Sequence, residues 1–265
     1  MRIALGIEYD GSGFSGWQTQ EEVRTVQASV EAALSKVASQ DIRVKCAGRT
    51  DTGVHAVEQV VHFDTHAERS ARSWVLGGNS HLPDDVRILW AKPVDEEFDA
   101  RFSALSRHYR YVILNRWVKS SLLRKRVTWE HRELNASVMH EAGQFLVGRH
   151  DFSSFRALAC QAKSPVREIY SLIVGRTGEF VYIDVHANAF LHHMVRNIAG
   201  VLIAVGKGDQ PIDWPRQILQ LKNRRKGGVT APADGLYLTR VQYPERFSLP
   251  QVGAEIFNLP AWKCE

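Results

Sequence analysis

Ala47-Gly48-Arg49-Thr50-Asp51-Thr52-Gly53-Val54-His55-Ala56 stands between two stretches that each read as a β-strand. Upstream, Ile42, Val44 and Cys46 alternate with Arg43 and Lys45, the period of two expected of a half-buried strand. Downstream, Gln59 to Phe63 is rich in valine and ends on an aromatic ring. The segment between them has glycine near both ends, with room for positive φ, and opposite charges two residues apart. A carboxylate at the tip of a two-strand frame is held in place yet open to a ligand. Arg49 beside it would keep Asp51 ionised and give an anionic substrate a landing point. The same composition also suits a plain hairpin turn in which Arg49 and Asp51 only stabilise the bend. The surrounding sequence has to decide.

Working outward, Ile3, Leu5, Ile7 and Tyr9 alternate with Arg2, Ala4, Gly6 and Glu8, a first strand. Val26, Val30, Ala33, Leu34 and Val37 mark a helix with one apolar stripe. After the two strands around Asp51, a second helix is predicted from about Ser70 to Asn79, weakened at its end by Gly77 and Gly78. Val86, Ile88 and Trp90 give a fourth strand. The order β-α-β-β-α-β is the split βαβ, ferredoxin-like unit, and the fold class is α+β.

The acidic, aperiodic stretch from Asp95 to Ala100 marks a boundary, which sets an N-terminal domain at 1–98 and a C-terminal domain at 99–243. In the second domain Arg107 to Leu114 is a strand, Val127 to Glu130 a short one, and a helix starts near Asn135. Arg167 to Val174 and Phe180 to Ala187 form a hairpin joined by Gly175-Arg176-Thr177-Gly178. Ala189 to Val205 reads as one apolar helix, Asp213-Trp214-Pro215 opens another, and Leu236 to Val241 closes the sheet. The tail, 244–265, carries no pattern.

Size agrees with two domains: the chain has 265 residues, 24% charged and 44% hydrophobic, ordinary values for folded protein. No apolar run approaches the roughly 20 residues of a membrane span, so no membrane association and a cytoplasmic location are expected. Cys46, Cys160 and Cys264 lie far apart, an odd number without a CxxC, and suit reduced thiols better than disulfides or a zinc site. A net charge of +5 is compatible with a nucleic-acid partner.

Several motifs fail on inspection. Gly11-Ser12-Gly13-Phe14-Ser15-Gly16 fits G-x-G-x-x-G, but the polar run from Trp17 to Glu22 delays the helix and no acid ends the next strand, so no dinucleotide cofactor is expected. Gly200 to Lys207 lacks the Ser or Thr of a P-loop. His192 and His193, on a helix, would point about 100° apart, so no metal is expected; at the i, i+4 spacing they would share faces with Arg196 and Asn197. Arg107-His108-Tyr109-Arg110-Tyr111 is more telling. On a strand Tyr109 and Tyr111 share a face beside Arg107, a surface on which unpaired bases stack, although tyrosines half-buried in a core give the same pattern. Basic clusters at Arg124-Lys125-Arg126 and at 222–228 favour RNA over DNA as partner.

These residues, taken in order, resemble the tRNA pseudouridine synthase A (TruA) family over nearly the whole chain. The resemblance is carried by Ile7-Glu8-Tyr9-Asp10-Gly11, Gly16-Trp17-Gln18, Thr25-Val26-Gln27 and the segment 47–56. It continues through Phe102-Ser103, Tyr109-Arg110-Tyr111, Asp151-Phe152-Ser153-Ser154-Phe155, Asn188 to Asn197, and Gly235-Leu236-Tyr237-Leu238. It implies a pseudouridine synthase fold with two such domains joined around an RNA-binding cleft. It further implies that Asp51 is catalytic, Arg49 pairs with it and helps open the target base, Tyr109 stacks on the uracil and Leu236 packs in the pocket. Arg196 and His193, on the polar helix face, join them as substrate-binding candidates. The implied enzyme is a homodimer acting on the 3′ side of the tRNA anticodon arm without metal or organic cofactor.

The chemistry agrees with the residue inventory. Converting uridine to pseudouridine breaks the N1–C1′ bond and joins C5 to C1′, redox-neutral and without net hydrolysis, so one ionised carboxylate suffices as nucleophile or base. Two other readings stay open on sequence: a non-catalytic RNA-binding module or RNA chaperone, which needs Tyr109 but not Asp51, and N-glycoside hydrolysis with Glu58 or Asp64 as a second carboxylate.

Overall fold

β1 (Arg2–Tyr9) keeps the predicted alternation but is buried on both faces, Ala4 as fully as Ile3 and Leu5. It lies between β3 (His55–Asp64) and β4 (Val86–Val94), antiparallel to each. Helices α1 (Val26–Ala38) and α2 (Ala71–His81) pack together, and α2 lies against β4. Thr25 and Ser70 cap them through their hydroxyls, as their positions before each apolar stripe require.

The computed structural model describes residues 1–252. Within it one compact unit holds residues 1–105 and the chain again from Tyr237; the other holds 106–236. These divisions fall at other residues than the 98/99 and 243/244 boundaries read from composition.

The first unit departs from expectation at the segment before the Asp51 loop. The strand expected from Ile42 shrinks to β2 (Lys45–Cys46), paired with His62 and Val61 of β3. Ile42 and Val44 are buried as the alternation demands, but their backbone N–H groups donate to Ser35 Oγ and Glu31 Oε1 of α1 (2.9 and 3.0 Å) instead of to a strand. At the other end of the same edge of β3, β10 (Leu236–Gln242) runs parallel, setting Tyr237 beside His55 and Leu238 beside Ala56. Helix α2 keeps close to its expected span, running through Gly77 and Gly78 to His81. A Cβ on Gly78 would lie 2.4 Å from Ile88 Cδ1, so this glycine is a close-packing position and not a helix end.

In the second unit β5 (Ser106–Asn115), β9 (Phe180–Ala187), β8 (Val166–Thr177) and β7 (Gly148–Asp151) form an antiparallel sheet in that order, with β6 (Thr128–Glu130) parallel to β5. The fold class is α+β with mostly antiparallel pairing. Helix α3 (Ala136–Gln144) starts after Asn135, whose side chain accepts from Val138 N, and it packs on β8 and on α4 (Met194–Gly206). α5 (Trp214–Leu221) follows Asp213 as expected. The β8–β9 hairpin turns at Gly178-Glu179, with Gly178 at φ +55°, so Gly175 to Thr177 belong to the strand. Gly175 lies under Tyr182, whose hydroxyl would be 2.1 Å from an added Cβ.

The first residues after Pro244 bind the first unit. Phe247 is buried with its ring 5.1 Å from Phe98, and Lys92 Nζ donates to the Phe247 and Ser248 carbonyls (3.0 and 2.6 Å). The rest of the tail, with Cys264, lies outside the described residues.

Candidate active site

Asp51 owes its position to a loop tied down on both sides of it. Ala47 N donates to Val60 O (2.8 Å), and the buried Gln59 amide clamps Gly48, donating to its carbonyl at 2.6 Å. Thr50 is buried: its carbonyl accepts from Trp17 N (3.0 Å), and its hydroxyl bonds the Tyr9 hydroxyl (2.8 Å). Asp51 O then accepts from Val54 N (3.1 Å), closing a turn with Gly53 at φ +80°, and β3 begins at His55. Held this way, Thr50 points inward, while Arg49 and Thr52 are exposed and Asp51 is half-buried.

The segment that clamps Thr50 also starts α1. Gly16 O accepts from Val26 N and Trp17 O from Gln27 N (3.2 and 2.9 Å), satisfying two N–H groups of the first helical turn. Gly16 sits at φ +92°, and a Cβ there would lie 2.9 Å from Thr50 O and 3.2 Å from Thr52 N. The glycine-rich stretch resembling a dinucleotide fingerprint is thus the cradle of the Asp51 loop. A β-bulge in β3 between its partners Ile7 and Tyr9 lies beside it.

Arg49, two residues before Asp51, is exposed to solvent. The alternative carboxylates both lie further along β3. Glu58 is 3% exposed, beneath the chain at Val252, and burial pushes its carboxyl up to about 7. Asp64, at the far end of β3, is paired with Arg2 at 2.8 Å, which holds it below the usual carboxylate range. Burial also pushes the Cys46 thiol up to about 12, so it stays protonated.

In the second unit the sequence reading of 107–111 divides. Tyr111 is fully buried, its hydroxyl bonded to Thr128 Oγ1 and donating to Pro232 O, a core residue and not part of an open aromatic surface. Burial raises its phenol well above the ordinary value. Tyr109 is also buried, at 9% exposure, with the Phe190 ring edge-on at 4.9 Å. On the opposite face His108 stacks on His186 at 3.7 Å and Arg110 pairs with Asp184 at 2.7 Å.

His192 and His193 are not on a helix. They form the turn before α4, with His193 its N-cap at φ +62° and the two rings 4.1 Å apart; Asn197 N still donates to the His193 carbonyl (2.9 Å), but at that φ the His193 side chain does not follow the faces of the helix. The apolar run from Ala189 hid this, because a turn at His193 leaves no trace in hydropathy. Arg196, in the first turn of α4, donates from Nε to Ala231 O (2.9 Å), and its own carbonyl accepts from Ala231 N (3.1 Å). Leu236 is buried at the start of β10, after Gly235 at φ +88°. That glycine is pressed against Val112 O, 2.4 Å from an added Cβ. The positioning roles of Gly16, Tyr9, Thr50 and Gln59 left no sequence signal, since each acts through a contact with a distant segment.

The tRNA pseudouridine synthase family model matches residues 6–103 and 142–244, which include the Asp51 loop, His193, Arg196 and Leu236. The chain is 60% identical to the tRNA pseudouridine synthase A of Nitrosococcus oceani, over 97% of this chain and 99% of that one. It is 58% identical to the same-named protein of Methylococcus capsulatus, over 98% and 96% of the two chains. With that of Coxiella burnetii it shares 54%, over 98% and 99%. The chain belongs to the tRNA pseudouridine synthase family.

Proposed function

We propose that the protein isomerises uridine to pseudouridine in tRNA, with Asp51 as the catalytic carboxylate. The observation that carries this is end-to-end identity with proteins named tRNA pseudouridine synthase A. The setting of Asp51 supports it: a half-buried carboxylate at a turn braced by Tyr9, Trp17 and Gln59. The N1–C1′ bond breaks, the freed uracil turns within the pocket, C5 bonds to C1′, and the C5 hydrogen leaves as a proton while N1 gains one. One carboxylate meets the acid–base and nucleophilic needs of this sequence.

The substrate-binding roles follow the same reading. Tyr109, backed by Phe190, stacks on the uracil and keeps it from diffusing away; Leu236 supplies an apolar wall. Arg49, exposed and cationic, meets the RNA backbone as the base leaves its stack, a step costing a few kcal/mol. Arg196 and His193 complete the set. The substrate site is the anticodon arm, and the enzyme acts as a cytoplasmic homodimer without cofactor. Incubation with an unmodified tRNA transcript, followed by chemical mapping of pseudouridine, tests this. Pseudouridine in the anticodon arm is expected; RNA bound but unmodified would make the protein a binding module.

A further inference from the structure

The loop between β5 and β6 exposes what a folded chain ordinarily covers. Trp117 is 82% exposed, Val118 63% and Leu122 90%. The segment from Arg116 to Arg126 holds five basic residues (Arg116, Lys119, Arg124, Lys125 and Arg126) and no acidic one. Arg124, Lys125 and Arg126 are all exposed.

The loop is also braced. Arg116 Nε donates to Val118 O (2.7 Å) and its NH1 pairs with Glu179 (3.1 Å). Trp129 Nε1 donates to Arg116 O (2.9 Å), and Lys119 Nζ lies 4.8 Å over the Trp129 ring. Leu123 N and Arg126 N are satisfied within the loop, by Ser120 Oγ and Leu123 O. An ordered loop that holds an indole in solvent is shaped for something that binds it.

Charge decides what. A second copy of this chain meeting the loop about a two-fold axis would set basic residues against basic residues, and protein interfaces are depleted of lysine at their centres. RNA offers phosphates for the arginines and lysine and a π-face for the indole. In the other basic stretch Arg224 donates to Asn197 Oδ1, Thr230 Oγ1 and Gly228 O at 2.7–2.9 Å.

We infer that the 116–126 loop is a second RNA-docking surface, its basic residues on the phosphates and Trp117 stacked on an unpaired base, away from the reacting uridine. This rests on the reading of tRNA as substrate. Six strand residues separate Tyr109 from Asn115, about 20 Å, so the loop acts on a part of the RNA remote from the base that Tyr109 holds. It contributes to affinity and not to the chemical step.

The test compares binding of a labelled, unmodified tRNA transcript across salt concentrations by wild type, Trp117→Ala, Trp117→Phe and the triple variant Arg124→Gln/Lys125→Gln/Arg126→Gln. Trp117→Ala is expected to weaken binding about tenfold, the order of one lost base stack, and Trp117→Phe to restore most of it. The triple variant should lower the slope of log affinity against log salt by roughly two. All should keep the wild-type rate at saturating tRNA. Unchanged affinity and slope in both alanine and glutamine variants, with wild type still forming pseudouridine, would overturn this inference alone. A Trp117→Ala protein that sediments differently from wild type would overturn it in favour of a second copy as occupant. Wild type that neither binds nor modifies tRNA would remove the proposed function as well.

Discussion

A single side chain is useful to chemistry only if its neighbours hold it still, and around Asp51 they do so through groups that are not themselves reactive. Gly16 is the sharpest case, because it combines a left-handed φ of +92° with an approach to the Thr50 carbonyl that leaves no room for a Cβ. Gly16→Ala should cost about 1–2 kcal/mol in backbone conformation and push the Thr50–Asp51 peptide aside. Turnover on a tRNA transcript is expected to fall by an order of magnitude or more, with the far-ultraviolet circular dichroism of the wild type retained. Wild-type turnover would show that the loop tolerates the shift. Tyr9→Phe removes the partner of a buried Thr50 hydroxyl and is expected to lower stability by about 1–2 kcal/mol in a denaturant melt. Asp51 stood out in sequence by its residue type and the turn residues beside it, while its catalytic role came only with the family resemblance. The bracing by Gly16 and Gln59 was not legible, since their contacts cross from one segment to another; the fingerprint-like glycines failed as a dinucleotide motif, and the structure gives them another use by placing Gly16 under the loop.

At the scale of the element, β3 carries two buried titratable groups whose effects on stability run in opposite directions. Burial raises Glu58 from 4.5 to about 7, so the folded protein holds a proton that the unfolded chain releases; this stability is complete below about 4.5 and is lost as pH rises toward 7. His62 is lowered from 6.5 to about 4 by burial, and its Nδ1 accepts from Ala100 N (3.0 Å), so it is neutral when folded. Its contribution is complete above 6.5 and is lost as pH falls toward 4. Each displacement corresponds to at most about 3 kcal/mol. Glu58→Gln should therefore melt higher than wild type at pH 8, with the gap closing by pH 5. Equal gaps at both pH values would contradict the assignment.

The elements themselves were legible where hydrophobic period was strong, as in β1, α1, β4 and α3. They were obscured where a partner overrode the pattern. The alternation at Ile42–Cys46 is real, yet α1 side chains take the backbone N–H groups that would have made a strand. β7, with the polar sequence Gly148-Arg149-His150-Asp151, showed no strand signal and forms by pairing along β8.

Over the whole molecule, the first unit carries a braced carboxylate and the second a buried tyrosine packed on Phe190, and the curated relatives match nearly the whole chain. The basic excess is small, +5 in 265 residues, so its distribution carries more weight than its sum. Affinity for tRNA is expected to fall steeply with rising salt as phosphate counterions are released, measured with the wild-type protein alone. A flat response would argue against backbone contacts as the main source of affinity. The two-unit plan could be read from the mix of helices and strands, but the return of β10 to the edge of β3 could not. Nothing in the sequence from Leu236 to Gln242 says which strand it will pair with.

The central claim concerns the bond formed at uracil C5, and it can be followed directly. With tRNA transcript carrying tritium at C5 of uridine, pseudouridine formation must release that tritium to water, because C5 exchanges its hydrogen for the bond to C1′. Wild type is expected to release it stoichiometrically with the uridines converted, and Asp51→Asn to bind the same RNA with near-equal affinity while releasing none. Tritium release by Asp51→Asn at a rate close to wild type would contradict the account.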